Sequence, residues 1–240
     1  MKRVIYLLIV MLYRIPGLLL KIRYFKKNMT TTTLQERFGY VQNLIKRINK
    51  KARVRMHVYG KENLPEKQGY LMAPNHQGMF DALILVDTHD KPFKTIYKKE
   101  LQETIVVNDL LDIMEHLPID RENLRASMKV IREVTNQLKE GISFVIFPEG
   151  TRCKQQNKML EFKGGTFKSA IDAKAPIVPV ALIDCYRVFD DNTMAYVDAQ
   201  IHYLQPLYYE DYQEMSSQQI AELVQSRIQE CIDKNENNFK

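Results

Sequence analysis

Tyr70–Asp81, "YLMAPNHQGMFD", carries both the fold and the chemistry of this chain. Its first half is an apolar run that ends at Pro74, the length of one buried strand. Asn75 and His76 therefore fall just past a strand's carboxyl end, the edge at which open α/β sheets hold their sites. If residues 78–85 begin a helix, Asp81 lies one turn inside it and can turn back toward the His76 ring. A carboxylate on one imidazole nitrogen fixes the tautomer and supports the imidazolium that forms when the other nitrogen takes a proton. That arrangement is a general base, which typically contributes about 10² to 10⁴ in rate. Taken alone, the plainer explanation is preferred: a loop histidine beside a helix-capping aspartate. No other His or carboxylate pair nearby has metal-ligand spacing, so no metal is expected.

Further along, "ISFVIFPEGTR", Ile142–Arg152, repeats the architecture: an apolar strand, a proline, then Glu149, Gly150, Thr151 and Arg152 in a polar loop. Gly150 permits close backbone approach to a ligand, and Arg152 offers a planar fork suited to phosphate oxygens. Two strands that end in polar clusters at one sheet edge make a shared site a better explanation than two separate turns. Around them, strand-like and helix-like segments alternate. "FKTIY" precedes a helix from about Glu100, and "HLPID" precedes a helix with Leu124, Met128, Ile131, Val134 and Leu138 on one face. "IVPVALI" and the alternating "AYVDAQIHYL" supply further strands, and Ser216 with Gln219 forms a capping box before a last helix. The expectation is an α/β fold: a mixed, mostly parallel sheet flanked by helices.

The charge is unevenly spread. Met1–Lys61 holds 15 Lys or Arg against one acid, Glu36, a balance of +14, while the remainder holds 20 basic and 28 acidic residues. No nucleic-acid motif accompanies the basic segment, so nucleic acid is not expected as a partner. Val4–Leu20 is apolar except for Arg14 and is broken by Pro16-Gly17. An anionic membrane lipid surface fits better, since each basic residue near it contributes about 1 kcal/mol. The absence of a small-x-small cleavage site and the basic residues that follow weaken a cleaved signal peptide. The segment reads as an uncleaved anchor, two short helical pieces bent at Pro16 and immersed in one leaflet, with a single tilted span as second choice. Residues 1–28 are thus expected as the membrane anchor, 29–52 as an amphipathic linking helix, and 53–240 as the main domain. The stripe Leu34, Phe38, Val41, Ile45 and Ile48 on the linking helix could face either the domain or the bilayer. Three scattered cysteines, Cys153, Cys185 and Cys231, suggest neither a disulfide framework nor a zinc site and fit a reducing, cytosol-facing environment.

In its motifs the chain resembles the glycerolipid acyltransferases, whose bacterial type is 1-acyl-sn-glycerol-3-phosphate acyltransferase. "NHQGMFD" looks like their Asn-His-x4-Asp motif, "PIDRENLR" their Ile-Asp-Arg motif, "FPEGTR" their third motif residue for residue, and "IVPVAL" their fourth, with Pro179 in place. "YKKEL" and "FKGGTFKSA" match further blocks at Lys98 and at Lys163 with Gly165. The matches run in family order from about residue 54 to 184. Two departures are Gly78 and Cys153, where the family usually has serine; a third is "EHLP", where a glycine commonly precedes the second motif.

The resemblance implies acyl transfer from acyl-CoA or acyl-carrier protein to the sn-2 hydroxyl of a lysophosphatidate, a lysophospholipid acceptor, at the cytoplasmic face of the cell membrane. His76 would deprotonate that hydroxyl and Asp81 would orient His76. Asn75 and backbone N–H groups near Gly78 would serve the substrate, the latter as oxyanion donors. Arg121, Arg152 and Lys98 would hold the acceptor phosphate, with Glu149, Gly150 and Thr151 shaping its site. No cofactor and no nucleophilic role for Cys153 are expected. Acylation of glycerol-3-phosphate is the nearest alternative; its motif more often begins His-Arg, which favours lysophosphatidate here.

Overall fold

A computed structural model describes residues 2–239. Its centre is a seven-stranded sheet in the order β1-β7-β6-β2-β5-β3-β4. The strands are β1 (Val54–Tyr59), β2 (Leu71–Pro74), β3 (Phe93–Lys98), β4 (Leu117–Ile119), β5 (Ser143–Val145), β6 (Ile177–Ile183) and β7 (Val197–Tyr203). Only the β6–β7 pairing is antiparallel. Five strands, β6 through β4, therefore run one way and end at one common edge. Leu71–Pro74 are all buried at the sheet's centre, as the apolar run predicts.

Helices cover both faces. On one lie α3 (Leu34–Lys51), α4 (Asp81–Thr88) and α5 (Ile105–Ile113), which share a core of Phe38, Val41, Ile45, Ile84, Leu85 and Ile113. On the other lie α6 (Leu124–Lys139), α7 (Lys168–Ala173) and, after the single turn α9 (Tyr209–Tyr212), α10 (Ser217–Asn235), around Val134, Leu138, Phe167, Ala170, Val224 and Ile228. This division follows from right-handed crossovers: β2–β3 and β3–β4 progress in one direction across the sheet, β4–β5 and β5–β6 in the other. The α3 stripe faces the domain. Arg37, buried among it, donates to the Ile113 carbonyl at 2.7 Å and pairs with Glu115.

Three local expectations change. Asp81 is the first residue of α4, not one turn inside it, so its carboxylate stands at the helix start. The segment after β3 opens as a 3-10 turn, Lys99–Glu103, before α5. The α6 stripe is interrupted, because Leu124 and Met128 are 75% and 52% exposed; the helix overhangs the layer beneath it by its first turns.

At the N-terminus, α1 (Lys2–Met11) and α2 (Ile15–Lys27) are joined by one 3-10 turn, Leu12–Arg14. Pro16 sits in the first turn of α2, where its missing N–H leaves no bond unmade. The irregular turn thus lies before Pro16, not at it. By length and composition, Lys2–Lys27 could cross a membrane. Both of its ends are nevertheless fastened to the domain. Arg3, fully buried, donates to the carbonyls of Val188 and Ala195 at 2.5 and 2.6 Å, beside α8 (Arg187–Asp190). Lys26 pairs with Asp109 and Asp112 of α5 at 2.6 and 3.1 Å. Between these ends Leu8, Ile9, Leu12, Tyr13, Leu19 and Leu20 are exposed, an apolar face with no covering among the described residues.

Candidate active site

Where β2 ends, the chain continues its pairing through a side chain. The Asn75 amide donates to the Leu182 carbonyl at 3.0 Å and accepts from the Leu182 N–H at 2.7 Å. Both ends of that amide are occupied and the residue is buried, so Asn75 joins β2 to β6 and is not open to substrate.

His76 follows, its side chain 21% exposed while Asp81 is fully buried. Its Nδ1 lies 2.7 Å from Asp81 Oδ2. The same oxygen accepts from the N–H groups of Gln77 at 2.6 Å and Gly78 at 2.9 Å. A carboxylate only accepts, so Nδ1 carries the proton and Nε2 the lone pair. Burial pushes the Asp81 carboxyl upward from its usual range, opposed by the His76 ring and the two N–H donors. The His76 ring also stacks on Phe147 with centroids 4.0 Å apart, which leaves it little rotational freedom. The N–H groups of Gln77 and Gly78 are directed at Asp81, so the expected oxyanion role near Gly78 is not theirs. Gly78 itself has a packing reason: a Cβ there would meet Tyr186 Cα at 3.3 Å, tighter than an ordinary contact. A serine at this position would press on that backbone.

Glu149 is buried and bridges two loops. It accepts from the His76 N–H at 2.6 Å and the Leu160 N–H at 2.9 Å. Burial raises its carboxyl, and those two N–H groups, with His76, pull it back. Glu149 is thus a strut beneath His76, both of its oxygens engaged inside the protein. Cys153 is buried, and its N–H, not its thiol, meets the site, donating to the His76 carbonyl at 2.8 Å.

Cations gather around Gly150. Arg121 donates to the Gly150 carbonyl. Gly150 has φ +71°, a region that favours glycine, and a Cβ there would stand 3.2 Å from Lys163 Nζ. Any side chain at 150 would displace that ammonium. Thr151 and Arg152 are exposed just beyond. Lys98, the last residue of β3, pairs with Glu100 at 3.1 Å. Lys163 joins the site unpredicted; its signal is the "FKGG" block, which brings it back over the third motif, where its N–H donates to the Pro148 carbonyl at 3.0 Å. Phe147 could not be told from a core residue of its strand.

This geometry, a histidine–aspartate pair and a cationic loop at the carboxyl edge of a mostly parallel sheet, is that of an α/β acyl-transfer site. The chain belongs to the Acyltransferase family, whose model matches residues 55–183. It is 31% identical over 141 residues to 1-acyl-sn-glycerol-3-phosphate acyltransferase of Borreliella burgdorferi, covering 59% of this chain and 56% of that one. To the Bacillus subtilis protein of the same name it is 36% identical over 126 residues, 52% of this chain and 60% of that one. The matched part spans about half the length of the curated relatives. In fold it is similar to the crystal structure of the 1-acyl-sn-glycerophosphate acyltransferase PlsC from Thermotoga maritima, with TM-score 0.77, 20% identity and 99% of each chain covered.

Proposed function

We propose that this protein transfers an acyl chain from acyl-CoA or acyl-carrier protein to the sn-2 hydroxyl of 1-acyl-sn-glycerol-3-phosphate, forming phosphatidate. The observation that carries this reading is the His76 Nδ1–Asp81 Oδ2 contact of 2.7 Å, which leaves Nε2 as the acceptor of a proton beside a cationic loop. Relatives named for this reaction support it. His76 Nε2 takes the hydroxyl proton as the oxygen attacks the thioester carbonyl. The tetrahedral intermediate then expels the thiolate, which leaves as free thiol with the proton held by His76. Asp81, unable to move, stabilises the imidazolium between these steps. The reaction calls for no acyl-enzyme and no cofactor beyond the thioester.

Arg121, Arg152 and Lys163 hold the acceptor phosphate, with Lys98 at the margin. In lysophosphatidate the reacting hydroxyl and the phosphate ester sit on neighbouring carbons. The reading requires the cations to stand near His76; in its support, Gly150, which Arg121 and Lys163 approach, directly follows the glutamate bound to His76 N–H. The exposed apolar face of α1 and α2, with flanking Lys and Arg, holds the site at the cytoplasmic membrane interface where such lipids reside.

The test is turnover of lysophosphatidate and an acyl thioester by the full chain in detergent, read as free thiol. His76→Ala removes it with folding intact; full turnover by that variant overturns the base. Glycerol-3-phosphate and a lysolipid without a terminal phosphate monoester serve as rival acceptors, and faster turnover of either overturns the acceptor assignment.

A further inference from the structure

Behind the His76 loop runs a row of buried polar side chains that the proposed chemistry does not use: Gln77, Asn157 and Asp184. They come from three distant segments, namely the site loop, the stretch after the third motif, and the turn beyond β6. Gln77 Nε2 donates to Asn157 Oδ1 at 2.8 Å, and Asn157 Nδ2 donates to Asp184 Oδ1 at 3.0 Å. The remaining amide oxygen is also engaged, since Gln77 Oε1 accepts from the Cys185 N–H at 3.0 Å. Asp184 has φ +60°, a left-handed conformation unusual outside glycine, and it grips Asn157 twice: its own N–H donates to Asn157 Oδ1 at 2.9 Å. Beyond it, Arg187 stands 3.6 Å from Asp184 Oδ2.

The row has a direction. Two amides can each be turned over, but a carboxylate only accepts, so Asp184 fixes the orientation of Asn157, which in turn fixes Gln77. Gln77 is the residue whose N–H is aimed at Asp81 Oδ2, and its neighbours on either side are His76 and Gly78. With its side-chain amide held through both nitrogen and oxygen, Gln77 has less freedom to rotate its peptide away from Asp81.

We infer that Gln77, Asn157 and Asp184 are positioning residues that hold the His76–Asp81 pair in register through a one-way row of hydrogen bonds. The inference rests on the general-base reading above. Its product is geometry at the reacting atoms, where displacements on the order of 1 Å cost about 100-fold in rate.

The experiment exchanges the polarity of the row in the full-length protein. Asn157→Asp sets two carboxylates against each other, and kcat is expected to fall about 10- to 100-fold with KM for both substrates little changed. Adding Asp184→Asn restores the pairing in reverse, with residue 184 now donating and residue 157 accepting, and is expected to recover most of kcat. A double variant as slow as Asn157→Asp, or losses that follow the folded fraction in thermal melts, overturns the inference. Gln77→Glu gives a second reading that does not depend on the first pair of variants. That carboxyl would face Asp81 from α4, Glu149 from the loop after β5, and Asp184 with Cys185 from the turn after β6, with the His76 ring and the Arg187 guanidinium also nearby. Its protonated form still donates to Asn157, so the ratio of variant to wild-type kcat is expected to fall as pH rises. A ratio independent of pH overturns the proposal. His76→Ala, run alongside, separates the two layers. Turnover that survives it removes the base, whereas turnover lost there but intact in Asn157→Asp removes only the row.

Discussion

In the loop Asn75–Asp81 the side-chain amides, the His76 Nδ1 and the N–H groups of His76, Gln77 and Gly78 all meet a partner inside the protein, whereas the neighbouring Arg152 and Lys163 stand exposed. The two regions share one sheet edge and are built on opposite principles. A base must be aimed before substrate arrives, because hydrogen bonds made during reaction would have to order the loop at that moment. A cation that recognises a phosphate must remain free to meet it, and tolerates the screening that exposure brings. Substitutions in the locked loop should therefore change kcat, and substitutions on the rim should change KM.

The largest effect is expected from Asp81→Asn. It keeps the shape but removes the charge and presents an amide to His76 Nδ1, so kcat falls about 10² to 10⁴-fold, measured as thiol release with the melting temperature maintained. Next is Glu149→Gln, whose single remaining acceptor oxygen leaves either the His76 or the Leu160 N–H facing an amide NH2. Stability drops by about 1–3 kcal/mol in denaturant titration, and kcat drops about tenfold or more. A KM effect without a kcat effect would place Glu149 on the rim instead.

Smaller and of the other kind are Arg152→Ala and Lys163→Met. Each should raise KM for lysophosphatidate roughly 5- to 10-fold with kcat near normal, and the difference from wild type should shrink in high salt. A fall in kcat alone would move these residues into the locked class. At neutral pH the smallest effect lies at the opposite edge of the sheet, where it emerges only on acidification. His116 accepts from the Thr95 N–H at 3.1 Å, and burial, with Lys94 nearby, holds its ring down at about 3 instead of 6.5. Below about pH 6.5 the unfolded chain binds a proton that the folded one refuses, so stability is lost as pH falls toward about 3. That loss is on the order of 1.4 kcal/mol per pH unit. His116→Gln should flatten the dependence of melting temperature on pH across that window, and an unchanged slope would exclude His116 as its source.

Much of the frame is legible in local pattern. Strand and helix alternate where apolar runs are punctuated by proline and glycine, and the five-residue spacing of His76 and Asp81 becomes a contact because it spans one loop and a helix start. The α3 stripe is visible but not its partner; only packing beside Ile113 shows that it faces the domain. The α6 stripe misleads at Leu124 and Met128 because periodicity continues past the point where a neighbouring layer exists to cover it. Glu149 and Asn75 are conspicuous as polar residues in the two motif loops, yet both side chains are engaged inside the protein, since sequence shows that a polar group is present but not which way its hydrogen bonds run.

What the sequence determines by itself is therefore the order of elements, the pair His76 and Asp81, and the polar loop Glu149–Arg152, each set by residues within a few positions of one another. The tertiary structure decides which of these groups remain available. Asn157 lies 80 positions from Gln77, and Asp184 still farther along the chain. Whether a buried polar atom is already satisfied depends on such distant partners, because a hydrogen bond is set by distance and direction in space and leaves no period in the chain.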